Sequence, residues 1–167
     1  LVAAMQLEGE PTISALQGRL LHDEEAMERL ALATTIHTTS MFRDPSFFRS
    51  FREHVVPFLR TYPFVRVWHA GCSTGEELYS MASVLREEVL YERSRLYATD
   101  MSEAVLRQAR AGIFPLARMQ SYTQNYLAAG GKRSLSDYFA AAYDAARFER
   151  SLLENVVFSQ HNLASDG

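Results

Sequence analysis

The stretch Val65-Arg-Val-Trp-His-Ala-Gly-Cys-Ser-Thr-Gly-Glu-Glu77 decides the fold of this chain. Its first residues predict a short strand, glycines follow at 71 and 75, and a helix then extends to about Leu90. The apolar residues at helical spacing in this helix are Leu78, Met81 or Ala82, Leu85 and Val89. One face of the helix can therefore pack on a sheet, and strand, turn and helix form the first half of a nucleotide-binding α/β unit.

Two acidic residues, Glu76 and Glu77, occupy the start of this helix, and no Lys or Arg follows in the turn. A bound pyrophosphate needs free backbone N–H groups there and would be repelled by carboxylates. A ligand with a positive end fits better, such as S-adenosylmethionine (SAM), which carries an ammonium and a sulfonium. The alternative is structural, because Thr74-x-x-Glu77 has the pattern of a capping box and acids suit a helix N-terminus without any ligand.

Residues 68–80, Trp-His-Ala-Gly-Cys-Ser-Thr-Gly-Glu-Glu-Leu-Tyr-Ser, resemble the SAM motif of the chemotaxis receptor methyltransferases, the CheR family. Three further blocks agree with that family in order and spacing: Thr39-Ser-Met-Phe-Arg-Asp44, Ala98-Thr-Asp100 and Val157-Phe-Ser-Gln-His-Asn-Leu163. The resemblance covers roughly residues 30 to 163. It implies the α/β class and a Rossmann-like SAM methyltransferase fold, preceded by a few helices and truncated after the third strand.

Composition narrows the class of protein. A chain of 167 residues with 47% hydrophobic residues can bury one core, and a net charge of −3 favours neither nucleic acid nor an anionic membrane as partner. No apolar run has the length of a membrane span, and no signal peptide is visible. The single cysteine excludes an intrachain disulfide and suits a cytoplasmic location. We interpret Cys72 as a small residue in a tight turn rather than as a nucleophile.

The resemblance also implies a domain division. Residues 1–37 correspond to the trailing part of an N-terminal helical domain, and residues 38–167 to the SAM-binding methyltransferase domain, incomplete at its C-terminus. Within the first part we expect an arm over residues 1–11 and a helix from Thr12 to Leu21. Asp23 is a predicted N-cap of a further helix. The side chains expected to face inward from that helix are Met27, Leu30 and Ala31.

Further helices and strands follow from local patterns. A helix from Pro45 to about Leu59, with Pro57 near its end, carries a predicted core stripe of Phe47, Phe48, Phe51, Val55, Phe58 and Leu59. A second strand over Arg95–Asp100 precedes a helix from Ser102 to Ala111 that Gly112 ends. Residues 113–150 suggest one helix around Tyr122–Leu127 and another helical region over Tyr138–Phe148. A third strand is expected at 154–160.

The family's chemistry is methyl transfer from SAM to a chemoreceptor glutamate, which gives a methyl ester and leaves S-adenosylhomocysteine. A glutamate carboxylate is ionised near neutral pH, so the enzyme has to orient and desolvate it rather than deprotonate it. Arg43 matches the family's arginine at cofactor and substrate, and its alternative role is a surface ion pair with Asp44. The implied cofactor contacts are His37, Thr39, Arg43, Gly71, Gly75, Glu77, Asp100, Asn162 and Leu163. His37 stands where the family often has asparagine.

Three functions remain open. The first is methylation of glutamates in the cytoplasmic helical region of chemoreceptors, without nucleic-acid or direct membrane contact. The others are a non-catalytic cofactor-binding regulatory or scaffold domain, and a methyltransferase with a small-molecule substrate. Residues that would close the methyl-transfer site are expected beyond Gly167, so we expect this chain alone to bind the cofactor weakly and to transfer no methyl group. No residue cluster has metal-ligand spacing, and we predict no metal.

Overall fold

The computed structural model describes residues 5, 6, 8–23, 25–27, 30 and 39–163. The chain divides into two compact units, Leu1–Thr38 and Thr39–Gly167. The predicted boundary between residues 37 and 38 lies outside the described residues. In the first unit helix α1 spans Ile13–His22, and the Thr12 hydroxyl caps it by accepting the N–H of Ala15 at 3.1 Å. The helix predicted over Thr12–Leu21 is thereby confirmed.

Two expectations for the first unit are wrong. Residues 5, 6 and 8 of the expected arm are helical, and the buried Glu8 carboxylate lies 3.4 Å from Arg19 Nε. Asp23 does accept the N–H of Ala26 as a helix cap, at 3.0 Å. In the short helical stretch that follows, Ala26 is buried while Met27 is 46% exposed, so Met27 does not face inward. Leu30 is partly buried, and Ala31 lies outside the described residues.

The second unit contains a parallel sheet of three strands: β1, Val65–Ala70; β2, Ser94–Asp100; and β6, Val156–Gln160. Their order is β1-β2-β6, so β2 is central. All three strands were predicted from the sequence, and so was the mixed α/β class with a parallel sheet. Within the described residues no strand pairs with the outer edge of β1.

Two helices cover one face of this sheet. Helix α3, Glu76–Glu87, follows β1 and packs on β2, whereas α4, Glu103–Ala111, follows β2 and packs on β2 and β6. Beneath them Leu96 and Ala98 are fully buried. Side chains alternate between the faces of a strand, and on the opposite face Trp68 is 55% and Val157 40% exposed.

Helix α3 ends earlier than the sequence pattern predicts. Val89 adopts a left-handed conformation (φ 57°) and is exposed, so its expected place on the packed face is wrong. The N–H of Leu90 donates instead to the carbonyl of Leu85 at 2.8 Å, and the Leu90 side chain is buried. This hydrogen bond closes the helix in the manner of a Schellman motif, with valine in the position that usually holds glycine.

The helix predicted from Pro45 to Leu59 is composite, and we label it α2: α-helix over Pro45–Ser50, π-helix over Phe51–Val55 and α-helix over Val56–Leu59. Pro57 offers no N–H and its ring crowds the carbonyl four residues earlier, which favours a widened turn. The added residue places Val56 in the core in place of Val55. The predicted stripe is therefore only partly right. Phe48, Phe51 and Leu59 pack inward, while Phe47, Val55 and Phe58 are exposed.

A small antiparallel sheet, ordered β3-β5-β4, lies between α4 and β6 in the sequence: β3, Ile113–Pro115; β4, Phe139–Ala142; and β5, Ala145–Phe148. Helix α5, Met119–Ala128, confirms the first predicted helix of this region. The helical region predicted over Tyr138–Phe148 is wrong, because these residues form a hairpin. Its turn places Tyr143 at φ 54°, and Phe139 pairs with Phe148, their ring centroids 5.4 Å apart. Tertiary pairing here overrides the helical propensity of the alanines. Turns of 3₁₀ helix span Tyr91–Arg93, Leu116–Arg118, Leu135–Tyr138 and Arg150–Leu153.

Candidate functional site

The turn after β1 is held against the end of β2. The N–H groups of Gly71 and Cys72 both donate to the carbonyl of Thr99 at 2.8 Å. Gly71 and Gly75 have φ of 74° and 94°, which favours glycine at both positions. A Cβ at Gly75 would lie 3.0 Å from the Cβ of Ala109, whereas one at Gly71 would meet nothing within 4 Å. Gly75 therefore serves packing against α4, and Gly71 leaves open space in front of the backbone.

Asp100, the last residue of β2, connects the two turns at this edge of the sheet. Its Oδ2 accepts the N–H of Ser73 at 2.9 Å, and its Oδ1 accepts the N–H of Ser102 at 3.1 Å. Each carboxylate oxygen has room for a further hydrogen bond, because an ionised carboxyl group offers about four acceptor positions. Asp100 therefore has a structural role and can still accept a ligand hydroxyl.

The capping box proposed as an alternative function for Thr74 and Glu77 is not formed. Helix α3 has Gly75 as its N-cap and no side-chain capping bond. The Thr74 hydroxyl donates instead to the Glu76 carboxylate at 2.6 Å. Glu76 is buried, with the Tyr122 hydroxyl at 3.4 Å and Arg118 at 3.6 Å. The two adjacent acids thus differ: Glu76 belongs to the packed interior, and Glu77 faces outward.

Glu77 is the exposed carboxylate of the turn, and a buried histidine contacts it. Its side chain is 67% exposed, and its Oε1 lies 3.1 Å from Nδ1 of His69, whose side chain is 4% exposed. The hydrogen bond from His69 lowers the pKa of Glu77; partial burial opposes this shift, and the charge of Arg43 reinforces it. Glu77 is therefore ionised and open to a cation. Sequence reasoning missed His69, although its place two residues before the turn, on the face that α3 covers, was a usable signal.

The block Thr39–Asp44 is fastened to α3 and α5. The N–H of Phe42 donates to Ser80 Oγ at 2.9 Å, and the side-chain amide of Asn125 donates to the carbonyl of Met41 at 3.1 Å. Phe42 is fully buried at φ 50°, a conformation that costs energy for a residue with a Cβ. This anchoring leaves the next side chain, Arg43, 61% exposed, and its charge acts on Glu77. Arg43 Nε lies 4.0 Å from Asp44, a distance at the limit of an ion pair.

The remaining predicted contacts have different positions. Thr39 is half-buried at the start of the anchored block, and His37 lies outside the described residues. Asn162 and Leu163 are exposed just after β6. The preceding residue, His161, donates its N–H to the carbonyl of Asp100 at 3.0 Å, so this segment meets the same edge of the sheet. Arg43, Asp100 and the stretch from the glycine turn to Glu77 thus come from three segments that the fold brings together.

Cys72 is not suited to act as a nucleophile. It is buried, and burial together with the charge of Asp100 raises the pKa of its thiol to about 12. The thiol form therefore dominates at neutral pH, which supports its interpretation as a small packing residue. Among the described residues, no three His, Cys, Asp or Glu side chains are grouped as a metal site, and no helix is long and apolar enough to span a membrane.

Comparison with known proteins finds one matching family model and several proteins of similar sequence. The sequence model of the family described as CheR methyltransferase, SAM binding domain, matches residues 37–167. Cher3 of Pseudomonas putida is 50% identical over 155 residues, which cover 93% of this chain and 57% of that protein. Proteins named chemotaxis protein methyltransferase from Borreliella burgdorferi and Salmonella typhimurium are 33% and 34% identical over 105 and 97 residues. Those two alignments each cover 57% of this chain, and 37% and 33% of the respective relatives. The chain thus spans about half the length of these relatives, or less.

Proposed function

The chain belongs to the CheR methyltransferase family through its SAM-binding domain, and from this premise we propose that the protein methylates glutamate side chains of chemoreceptors, giving methyl esters. The substrate would be the cytoplasmic helical region of the receptor, which implies a cytoplasmic location. The observation that carries the proposal is the ionised, exposed carboxylate of Glu77 directly after the glycine turn. SAM is the cofactor of this family's domain, and its ammonium group is the kind of ligand that such a carboxylate accepts.

The donor and acceptor groups of the chain fit this cofactor. Glu77 would hold the ammonium, and Asp100 would accept hydrogen bonds from ribose hydroxyls in addition to those from Ser73 and Ser102. The open space in front of Gly71 would admit the ligand close to the backbone. By correspondence with the family, His37, Thr39, Asn162 and Leu163 would complete the cofactor contacts. When bound, SAM supplies an electrophilic methyl group on a sulfonium.

Arg43 is the residue that we assign to the substrate. A guanidinium donates two parallel hydrogen bonds to a carboxylate and so fixes its orientation. The substrate glutamate needs no general base, since its side chain is ionised at neutral pH. The anchoring of Met41 and Phe42 to Asn125 and Ser80 fixes the backbone that leads into Arg43, whose charge acts on Glu77. The chain's contribution to the reaction is therefore alignment of two charged groups and exclusion of water from between them.

The test combines a binding and a transfer measurement. Titration calorimetry with S-adenosylhomocysteine should show binding, and NAD should bind more weakly. Radiolabelled SAM and receptor are then incubated with the full-length protein, and base-labile release of the label as methanol identifies an ester. Tighter binding of NAD would refute the assignment of the cofactor. Cofactor binding without transfer would favour a regulatory domain, and a label in another linkage would favour a different substrate.

The substitution Glu77→Gln should weaken binding of S-adenosylhomocysteine by about 1–3 kcal/mol, the loss expected for a charge-assisted hydrogen bond. The melting temperature should change little, because Glu77 does not cap α3. Glu103→Gln is the matched control, since Glu103 lies in the first turn of the neighbouring helix and pairs with Arg110. Unchanged affinity in Glu77→Gln would exclude this carboxylate from the site.

A further inference from the structure

His69 makes a contact that the family motif does not explain. Its ring lies beneath Glu77 on the sheet face covered by α3, with Nδ1 3.1 Å from Oε1 of Glu77. An ionised carboxylate only accepts hydrogen bonds, so Nδ1 carries the proton in this contact. The other ring nitrogen, Nε2, is buried and has no hydrogen-bond partner among the described residues. The bond to Glu77 is thus what orients the imidazole ring.

The same contact restricts Glu77. An exposed glutamate samples several rotamers, and fixing one of them when a ligand binds costs conformational entropy. Here Oε1 is already held by a buried ring, whereas Oε2 has no hydrogen bond within the part of the chain that the structure describes. One oxygen is therefore used to fix the side chain, and the other is available to a ligand.

We propose that His69 is a positioning residue of the cofactor site, which holds the Glu77 carboxylate through Nδ1–H and leaves Oε2 for the ammonium group of the ligand. This inference rests on the proposed function, because it assumes that Glu77 binds that ammonium. Arg43, which comes from a separate segment, also acts on Glu77 through its positive charge. His69 and Arg43 thus both stabilise the ionised carboxylate, but only His69 is buried and can fix its direction.

The test uses two ligands and two substitutions in the whole chain. S-adenosylhomocysteine carries the amino-acid group, whereas 5′-methylthioadenosine has the same nucleoside and thioether without it. His69→Leu fills a similar volume without a donor and should weaken S-adenosylhomocysteine binding about tenfold, the scale of a lost charge-assisted contact. The affinity for methylthioadenosine should stay within about twofold, because that ligand makes no bond to Glu77. His69→Asn keeps an N–H near the place of Nδ1 and should restore most of the lost affinity.

Several results would overturn the inference. Equal losses for both ligands in His69→Leu would mean that His69 supports the turn rather than the carboxylate, and full affinity for S-adenosylhomocysteine would mean that Glu77 needs no support. Failure of the unaltered chain to bind either ligand would refute the proposed function itself. If His69→Leu does not fold, nitrogen NMR of the unaltered protein decides. We expect the Nδ1–H tautomer of His69, and we expect its ring-nitrogen signals to shift on addition of S-adenosylhomocysteine but not of methylthioadenosine. An Nε2–H tautomer would refute the role.

Discussion

Replacing Arg52 by methionine should lower the free energy of unfolding by about 3–5 kcal/mol, the loss typical of a buried ion pair that loses one partner. The Arg52 side chain is 8% exposed and lies 2.5 Å from Glu87 and 2.7 Å from Glu88. Glu87 is the last residue of α3 and Glu88 is its C-cap; both side chains are almost fully buried at this helix end, where the helix dipole disfavours negative charge. Methionine keeps the apolar length but leaves these carboxylates without their buried cation.

Arg60→Met provides the matched control. Arg60 also contacts Glu88, at 2.9 Å, but its side chain is 54% exposed, so solvent screens the pair. Its loss should cost less than about 1 kcal/mol. Urea unfolding followed by circular dichroism measures both variants. Similar losses for Arg52→Met and Arg60→Met would show that burial of the Arg52 pair adds nothing to stability.

The difference between wild type and Arg52→Met should also depend on pH. Burial alone would raise the pKa of Glu88, but hydrogen bonds from Lys132 and Arg52 outweigh it and hold the pKa below its ordinary value of 4.5. A lowered pKa in the folded state stabilises the protein above pH 4.5, and this contribution is lost as the pH falls through the folded-state value. Acidification should therefore reduce the difference in the free energy of unfolding between wild type and Arg52→Met.

Arg43→Lys should lower methyl transfer to receptor by about 10- to 100-fold, because a point charge does not reproduce the bidentate alignment of a carboxylate. The positive charge that acts on Glu77 is kept, so the affinity for S-adenosylhomocysteine should change less than about threefold. The measurement is initial-rate transfer from radiolabelled SAM in the full-length protein, with calorimetry on the same preparation.

Arg49→Lys serves as the control for turnover. Arg49 is likewise exposed and lies six residues further on, where it donates to the carbonyl of Ala128 at 2.7 Å. Its replacement should leave transfer unchanged. Near-normal transfer by Arg43→Lys would instead assign Arg43 to its ion pair with Asp44.

The parallel sheet was predictable because its signals are local and agree with one another. Each strand is short and contains several apolar or aromatic residues, and a turn and a helix start with acidic residues follow both β1 and β2. Because the carboxyl ends of parallel strands share an edge, Glu77 and Asp100 could be expected near each other. The bond between Ser73 and Asp100 lies at that edge.

The misassigned regions depend on contacts that a local pattern does not contain. The alanines of residues 138–148 favour a helix, but pairing of Phe139 with Phe148 selects a hairpin. The π-helical turn in α2 buries Val56 and leaves Val55 exposed. A prediction from α-helical periodicity assumes that no such turn is present. The contact between His69 and Glu77 crosses from strand to helix, so its distance depends on the whole turn between them. Strand alternation indicates the face of His69 but not its partner.

The exposed face of the sheet carries the fluorescent side chain of Trp68. Trp68 is the single tryptophan, it is 55% exposed, and its Nε1 donates to Thr99 Oγ1 at 2.9 Å. The carbonyl of that same Thr99 holds the N–H groups of Gly71 and Cys72. Fluorescence from this one indole therefore reports on two events without any label. If the exposed sheet face becomes covered, the emission of Trp68 will shift to shorter wavelength. A ligand that rearranges the glycine turn will change the intensity of this emission through Thr99.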